Sequence, residues 1–203
     1  MPNAQLPAAP VPPGAFILSK KEAAERQLRC AVWLWFHECD SVSIHALSSA
    51  AAKVLWKLNH HHNTGHATVS ERLLDLIKPD KRKEWLVIYN KMENFIKHAD
   101  NDPHETMAFN PELTPLTMFD ATTSLEKLSG NLSDDLLAFK THFIFNNQDF
   151  FLPPLSDQIS FFKSDKDVSD IFSNQSKISF FELFLSAQQK NKSTLAAKIR
   201  KNI

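Results

Sequence analysis

Lys91, Asn94 and His98 are spaced so that they would share one face of a helix. A helix turns about 100° per residue, so residues three, four and seven positions apart lie on the same side. The apolar residues of this segment define the opposite side, namely Trp85, Ile88, Met92, Phe95 and Ala99. Histidine transfers protons near neutral pH because its ordinary pKa is about 6.5. The triplet is therefore either a proton-transfer site or an ordinary polar helix face.

Four histidines form a second candidate site, at His60, His61, His62 and His66. Imidazole is a ligand for zinc, nickel and copper when three or four rings converge. However, the tract contains no carboxylate or thiol, and the chain has no His-Glu-x-x-His arrangement. Adjacent side chains of an extended segment also point apart. We therefore predict a polar linker without a metal ion, and a protein that needs no cofactor.

Nucleophilic and nucleotide-cofactor enzymes are poorly supported by the sequence. The chain has no Gly-x-Ser-x-Gly element, and its three glycines are too few for glycine-rich phosphate loops. Cys30 and Cys39 are the two cysteines, and on one helix they would lie about 13 Å apart on opposite faces, too far for a disulfide. The sequence predicts two reduced cysteines in the core of a cytoplasmic protein.

Aromatic residues provide a third candidate site, because flat exposed rings stack on nucleic-acid bases. The residues concerned are Trp33, Trp35, Phe36, Trp56 and Trp85. They fall within apolar helical stripes rather than among arginines and lysines. We therefore predict that these rings pack in the core.

Apolar residues recur every three or four positions, which predicts an all-α fold. We expect an up-and-down bundle of four to six helices in a chain of 203 residues, of which 43% are hydrophobic. Ser19 and Glu22 have the spacing of a capping box and mark the start of the first helix. The predicted helices span 20–38, 44–58, 71–78, 80–98, 116–128 and 133–146.

Composition divides the chain into three regions. Residues 1–19 have no charged side chain and five prolines, which predicts a disordered arm rather than a signal peptide. Residues 20–147 form the predicted helical domain. Residues 148–203 form an irregular extension that regains helical spacing near Lys177 and ends in a basic tail. No run approaches the roughly 18 to 20 apolar residues of a membrane span, so we expect no membrane association.

The segment Glu93-Asn94-Phe95-Ile96-Lys97-His98 resembles the signature of the HEPN superfamily. Active members of this superfamily are helical domains that carry Arg-Asn-x-x-x-His near the end of a helix. Asn94 and His98 match this motif, whereas Glu93 stands in the place of the arginine. The likeness covers residues 20–147 in the order of elements and residues 94–103 in detail. The expected fold is therefore a HEPN-like bundle.

The resemblance implies the chemistry of a metal-independent endoribonuclease. Two copies of the motif would meet across a homodimer, and RNA would be cut by attack of the ribose 2′-hydroxyl. His98 would transfer the proton, Asn94 would orient it, and a cation would stabilise charge on the phosphate. Glu93 would repel phosphate, which leaves Lys91 as the substitute cation. Loss of one such donor costs about 10²- to 10³-fold in rate, so we expect catalysis to be lost or much reduced.

Two functions of different classes follow from these residues. The first is a HEPN-like RNA-binding or nuclease-derived protein of a toxin-antitoxin or defence type. Its partners would be RNA, a second copy of the chain and a nucleotidyltransferase-like antitoxin. The second is a non-catalytic helical module that uses the same face for protein interaction or dimerisation. A metal-binding function of the histidine tract is a third and weaker hypothesis.

Overall fold

Six α-helices make up most of the described protein, which confirms the all-α class. The computed structural model describes residues 12–68, 71, 79–81, 83, 90–98, 103–147 and 175–190, and these residues contain no β-strand. The helices are α1 (Lys20–Phe36), α2 (Ser41–His61), α3 (Lys91–Lys97), α4 (Thr114–Ser129), α5 (Asp134–Asn146) and α6 (Lys177–Lys190). Within this part of the chain, no helix has both the length and the apolar character needed to cross a bilayer.

The first helix begins at the predicted capping box. The Glu22 N–H donates to Ser19 Oγ at 3.2 Å, and the Ser19 N–H donates to Glu22 Oε2 at 2.9 Å. The helix ends at Phe36, two residues before its predicted end, because Glu38 adopts a left-handed φ of 52°. Asp40 then caps α2 by accepting a 2.7 Å hydrogen bond from the Ser43 N–H.

The core lies between α1, α2, α4 and α5, and its residues follow the predicted apolar stripes. The connection 37–40 lets α2 pack along α1, while α4 packs against α2 and α5 contacts both α1 and α4. Fully buried members are Leu28, Val32 and Phe36 of α1, Ala51 and Leu55 of α2, Met118 and Ala121 of α4, and Leu136 and Phe139 of α5. Burial of these side chains is the main favourable contribution to folding.

The helix predicted near Lys177 is present and joins the same core. The residues of α6 that point inward are Phe180, Phe181 and Phe184, and all three are buried. The Phe181 ring stacks on Phe36 with centroids 4.3 Å apart. The rest of the predicted extension, residues 148–174 and 191–203, lies outside the described residues.

The predicted burial of the cysteines and of two tryptophans is wrong. Cys30 and Cys39 are both free and exposed. Trp33 and Trp56 are 50% and 37% exposed, whereas Trp35 is half-buried and Phe36 is buried as predicted. In α1 the buried residues lie on one side of the helix, and Cys30 and Trp33 lie on the opposite side, which faces solvent. Trp85 lies outside the described residues.

The continuous helix predicted over 80–98 is also wrong. Pro79–Lys81 forms a single 3₁₀ turn, and Asn90 lies in a turn with φ −84° and ψ 0°. The motif therefore lies on a separate helix of seven residues, α3, which has no fully buried side chain. The predicted helix 71–78, except for Glu71, and residues 84–89 lie outside the described part of the chain.

Candidate functional site

Glu93 faces α2 and holds two lysines from different helices. Its Oε1 atom lies 2.6 Å from Lys97 Nζ, which forms an i,i+4 ion pair within α3. The same oxygen lies 3.2 Å from Lys53 Nζ on α2. The Glu93 side chain is only 12% exposed, because it lies between the two helices. The residue in the place of the motif arginine is thus an anchor between α2 and α3.

The two lysines keep Glu93 ionised. Burial raises the pKa of the Glu93 carboxyl, but hydrogen bonds and charge from Lys97 and Lys53 outweigh it, so that the pKa lies below its usual range. Two ammonium groups share one carboxylate oxygen, which leaves one positive charge uncompensated within this group of three residues. Lys53 and Lys97 also remain open to solvent, with 50% and 33% of their side chains exposed.

The other predicted site residues lie on the outer side of α3. Lys91, Asn94 and His98 are all exposed, as their helical spacing indicates. His98 follows the helix in an extended conformation, and its N–H donates to the Asn94 carbonyl oxygen at 3.0 Å. Lys91 Nζ lies 3.4 Å from Glu105 Oε1. The structure therefore leaves these three residues exposed to solvent, whereas Glu93 faces α2.

His45 is a buried residue of this region that the sequence analysis did not select. Its Nδ1 atom lies 3.1 Å from Thr114 Oγ1, and the edge of its ring contacts Phe109 at 5.7 Å between centroids. Burial lowers the pKa of His45, the Glu93 charge opposes this, and the Lys97 charge adds to it. His45 directly follows the buried Ile44 on α2. Nothing in the sequence indicates that its ring reaches Thr114 of α4.

The exposed side of α2 carries cations and an aromatic ring next to Glu93. Lys53, Trp56, Lys57 and His60 are exposed, and their spacing places them on one side of the helix. We call these four residues, together with Glu93 and Lys97, the α2–α3 face. Its lysines are the ligands that would meet an anion, and Trp56 adds a flat apolar surface.

The histidine tract belongs in part to this face, which corrects the prediction of a linker. His60 and His61 form the last turn of α2. His60 Nε2 lies 3.0 Å from Glu71 Oε1, and its Nδ1 lies 3.0 Å from the Trp56 carbonyl oxygen. Among the described residues, no three side chains of the metal-binding types lie close enough to hold an ion.

Comparison with known proteins gives no match to a family model, to a curated protein or to a solved structure. None of these comparisons supports the HEPN resemblance, which rests on the residue types of the motif alone; Asn94 lies on α3, and His98 follows this helix.

Proposed function

We propose that the protein binds RNA through the α2–α3 face and does not cleave it. The observation that carries this proposal is the pair of lysines on Glu93. RNA has a phosphate for every nucleotide, and lysine binds phosphate as a mobile point charge. A phosphate oxygen would meet Lys53 and Lys97 at the side that Glu93 leaves open.

The cations of the face outnumber its acids. Lys53, Lys57 and Lys97 supply three positive charges against two carboxylates, that of Glu93 and that of Glu71, which contacts His60. The chain as a whole has 23 basic and 23 acidic residues, so this local excess is a property of the surface rather than of the composition. Binding by such a face would weaken steeply with salt, because phosphate contacts release counterions from the nucleic acid.

The absence of cleavage follows from the position of the charges. Transition-state stabilisation requires a donor fixed close to the developing charge. Lys91 is the lysine that the sequence predicts on the same face as His98, and its ammonium group is paired with the Glu105 carboxylate. Glu93 holds the other two lysines, Lys53 and Lys97, at the contact between α2 and α3 instead. His98 would therefore have no fixed cation beside it, which supports a binding role.

We extend this proposal to the origin and setting of the protein. The motif residues Asn94 and His98 support descent from a HEPN-like nuclease of a toxin-antitoxin or defence system. Such a protein would be a cytoplasmic homodimer, with RNA and a nucleotidyltransferase-like antitoxin as partners. The free cysteines Cys30 and Cys39 are compatible with a reducing compartment.

Fluorescence anisotropy with a labelled RNA tests the binding proposal. The Lys53→Gln/Lys97→Gln variant should bind about tenfold more weakly than the wild type, and the slope of affinity against salt should fall by about two. The matched control is Lys20→Gln/Lys127→Gln, which removes two exposed lysines of α1 and α4. An equal loss in both variants, or no RNA binding by the wild type, would overturn the proposal.

A cleavage assay in EDTA tests the second half of the proposal. We expect intact RNA with the wild type and unchanged binding for His98→Ala. Cleavage by the wild type that disappears in His98→Ala would show that the protein is an active nuclease instead.

The alternative function, an interaction or dimerisation module, has one observation in its favour. Phe16, Ile17 and Leu18 precede α1, and they are exposed by 63%, 83% and 43%. A run of three exposed apolar residues is suited to contact with another protein. Sedimentation velocity of the wild type and of Ile17→Ser would test this, since a dimer formed through this run should dissociate in the variant.

A further inference from the structure

We propose that Trp56 is a stacking platform for an unpaired base, which makes single-stranded RNA the substrate class of the α2–α3 face. This inference rests on the proposed function. An indole ring stacks on any base whose face is free, whereas paired bases inside a duplex expose only their edges and backbone.

The Trp56 indole is exposed and held in place by its neighbours. Burial raises the pKa of the nearby Glu71 carboxyl, but Thr68, the Trp56 side chain and His60 outweigh it, so that this pKa lies below its usual range. The His60 ring lies against the indole with centroids 4.5 Å apart and planes inclined by 50°. His60 is fixed in turn, because its two ring nitrogens contact the Trp56 carbonyl oxygen and Glu71.

This fixation favours ligand binding because little rotamer freedom remains to be lost. A tryptophan has two rotatable side-chain bonds, and the His60 ring packed against the indole limits their rotation. A preorganised ring loses less conformational entropy when it stacks on a ligand than a freely rotating ring does. An exposed tryptophan without such contacts would be a weaker indication of a platform.

Cations flank the indole on the same side of α2. Lys53 precedes Trp56 by three residues and Lys57 follows it directly, so both residues lie within about one helical turn of Trp56. Charges on both sides of a flat ring suit a base with a phosphate on either side of it. This combination of aromatic ring and lysines is typical of surfaces that bind single strands.

Trp33 provides a matched internal comparison. Its ring stacks on His37 at 3.9 Å, and His37 Nδ1 lies 2.7 Å from the Trp33 carbonyl oxygen, so the local arrangement repeats that of Trp56 and His60. Trp33 is also half exposed. Its cationic neighbour on the helix, Arg29, is bound by Asp135 at 2.7 Å. Lys53 is bound by Glu93 in the same way, so the difference lies in Lys57: Trp33 shares the aromatic geometry but is followed by Leu34 instead of a lysine.

The test measures anisotropy with labelled single-stranded RNA, single-stranded DNA and duplex RNA of equal length. We expect Trp56→Ala to bind single-stranded RNA about tenfold more weakly with an unchanged salt slope. Trp56→Phe should keep most of the affinity, Trp56→Leu should lose it, and Trp33→Ala should stay within about twofold of the wild type. Thermal unfolding followed by circular dichroism confirms that the variants compared are folded.

The outcomes separate this inference from the proposed function. If Trp56→Ala and Trp33→Ala both bind like the wild type while the lysine variant loses affinity, the platform is wrong and RNA binding stands. Preference of the wild type for duplex RNA would also overturn the platform. Failure of the wild type to bind any RNA would overturn the proposed function itself. Competition by polyglutamate as strong as by unlabelled RNA would assign the face to acidic proteins and overturn both.

Discussion

The side-chain amide of Asn59 donates a hydrogen bond to the main-chain carbonyl oxygen of Ser124, 2.9 Å away, and so joins α2 to α4. The same nitrogen donates to the Leu55 carbonyl oxygen at 3.0 Å, and Asn59 Oδ1 accepts from the Thr64 hydroxyl at 2.6 Å. Asn59 is 2% exposed. This buried contact fixes the last turn of α2, where the α2–α3 face carries Trp56 and His60.

Asn59→Ala should destabilise the protein by about 2 to 3 kcal/mol. The variant leaves the Ser124 carbonyl oxygen buried without this donor and removes packing between α2 and α4. Thr64→Val is the comparison variant, since it removes the hydrogen bond to Asn59 Oδ1 and a longer one from the His66 N–H, and it should cost about 1 kcal/mol. Urea unfolding at pH 7 measures both, and an equal cost for the two variants would contradict the central role of Asn59.

Glu93→Gln should lower the free energy of unfolding by about 1 to 2 kcal/mol, because it weakens two contacts of a largely buried carboxylate. Since its pKa is lowered in the folded state, the contribution of Glu93 is present above the unfolded pKa of about 4.5 and disappears as the pH falls through the folded value. The control is Glu105→Gln, which removes the more exposed pair with Lys91 and should cost less than about 0.5 kcal/mol. Urea titrations at pH 7 and pH 3.5 compare the two.

Glu93→Arg restores the complete Arg-Asn-x-x-x-His motif but should cost about 3 kcal/mol of stability. The guanidinium would lie beside the ammonium groups of Lys53 and Lys97 in a site that excludes most water. Glu93→Arg/Lys53→Glu returns a carboxylate to the new arginine and should regain part of the loss. Unfolding midpoints test this, and a single variant as stable as the wild type would show that Glu93 does not hold α3 on α2.

His142 should make the protein less stable in mild acid. Burial lowers its pKa to about 4, and the charge of Lys177 adds to this effect. The unfolded chain therefore binds the extra proton below about pH 6.5, whereas the folded chain binds it only near pH 4, so that stability falls as the pH decreases across this range. The full effect is at most about 3 kcal/mol.

His142→Phe should reduce the difference in unfolding free energy between pH 7.5 and pH 4.5. Phenylalanine suits the site, because Trp35, Phe36 and Phe180 surround the imidazole edge to face. The exposed His104 serves as the control through His104→Gln, which should leave the pH dependence unchanged. A variant His142→Phe with the same pH dependence as the wild type would show that another group controls it.

Glu38→Gly should stabilise the protein by about 0.5 to 1 kcal/mol. Glu38 has a φ of 52° just after α1, a conformation that glycine adopts without steric cost. Asn63 has a φ of 51° just after α2, and asparagine tolerates this region better, so Asn63→Gly should gain less. Thermal unfolding of both variants provides the comparison, and destabilisation by Glu38→Gly would mean that its 3.9 Å contact with Lys177 outweighs the strain.

Sequence reasoning was most accurate where local chemistry decides the structure. The Ser19–Glu22 capping box is present as predicted, and each of the four core helices forms over nearly the predicted range. The prediction of one helix over 80–98 failed at Asn90, where a turn precedes α3. Sequence reasoning also failed for Trp33 and Trp56, because an apolar residue type does not reveal which helix faces find a partner.

The sequence by itself determined the helices of the core, with ends within three residues of those observed, and the outward position of Lys91 and Asn94, because these depend on spacing along one helix and on residues a few positions apart. The tertiary structure decided which long-range partners meet. Only the packing of α3 on α2 brings Lys53 to Glu93, and only the tertiary structure brings Glu71 to His60. Such contacts join residues far apart in the chain, and their geometry depends on how buried faces pack rather than on any local pattern.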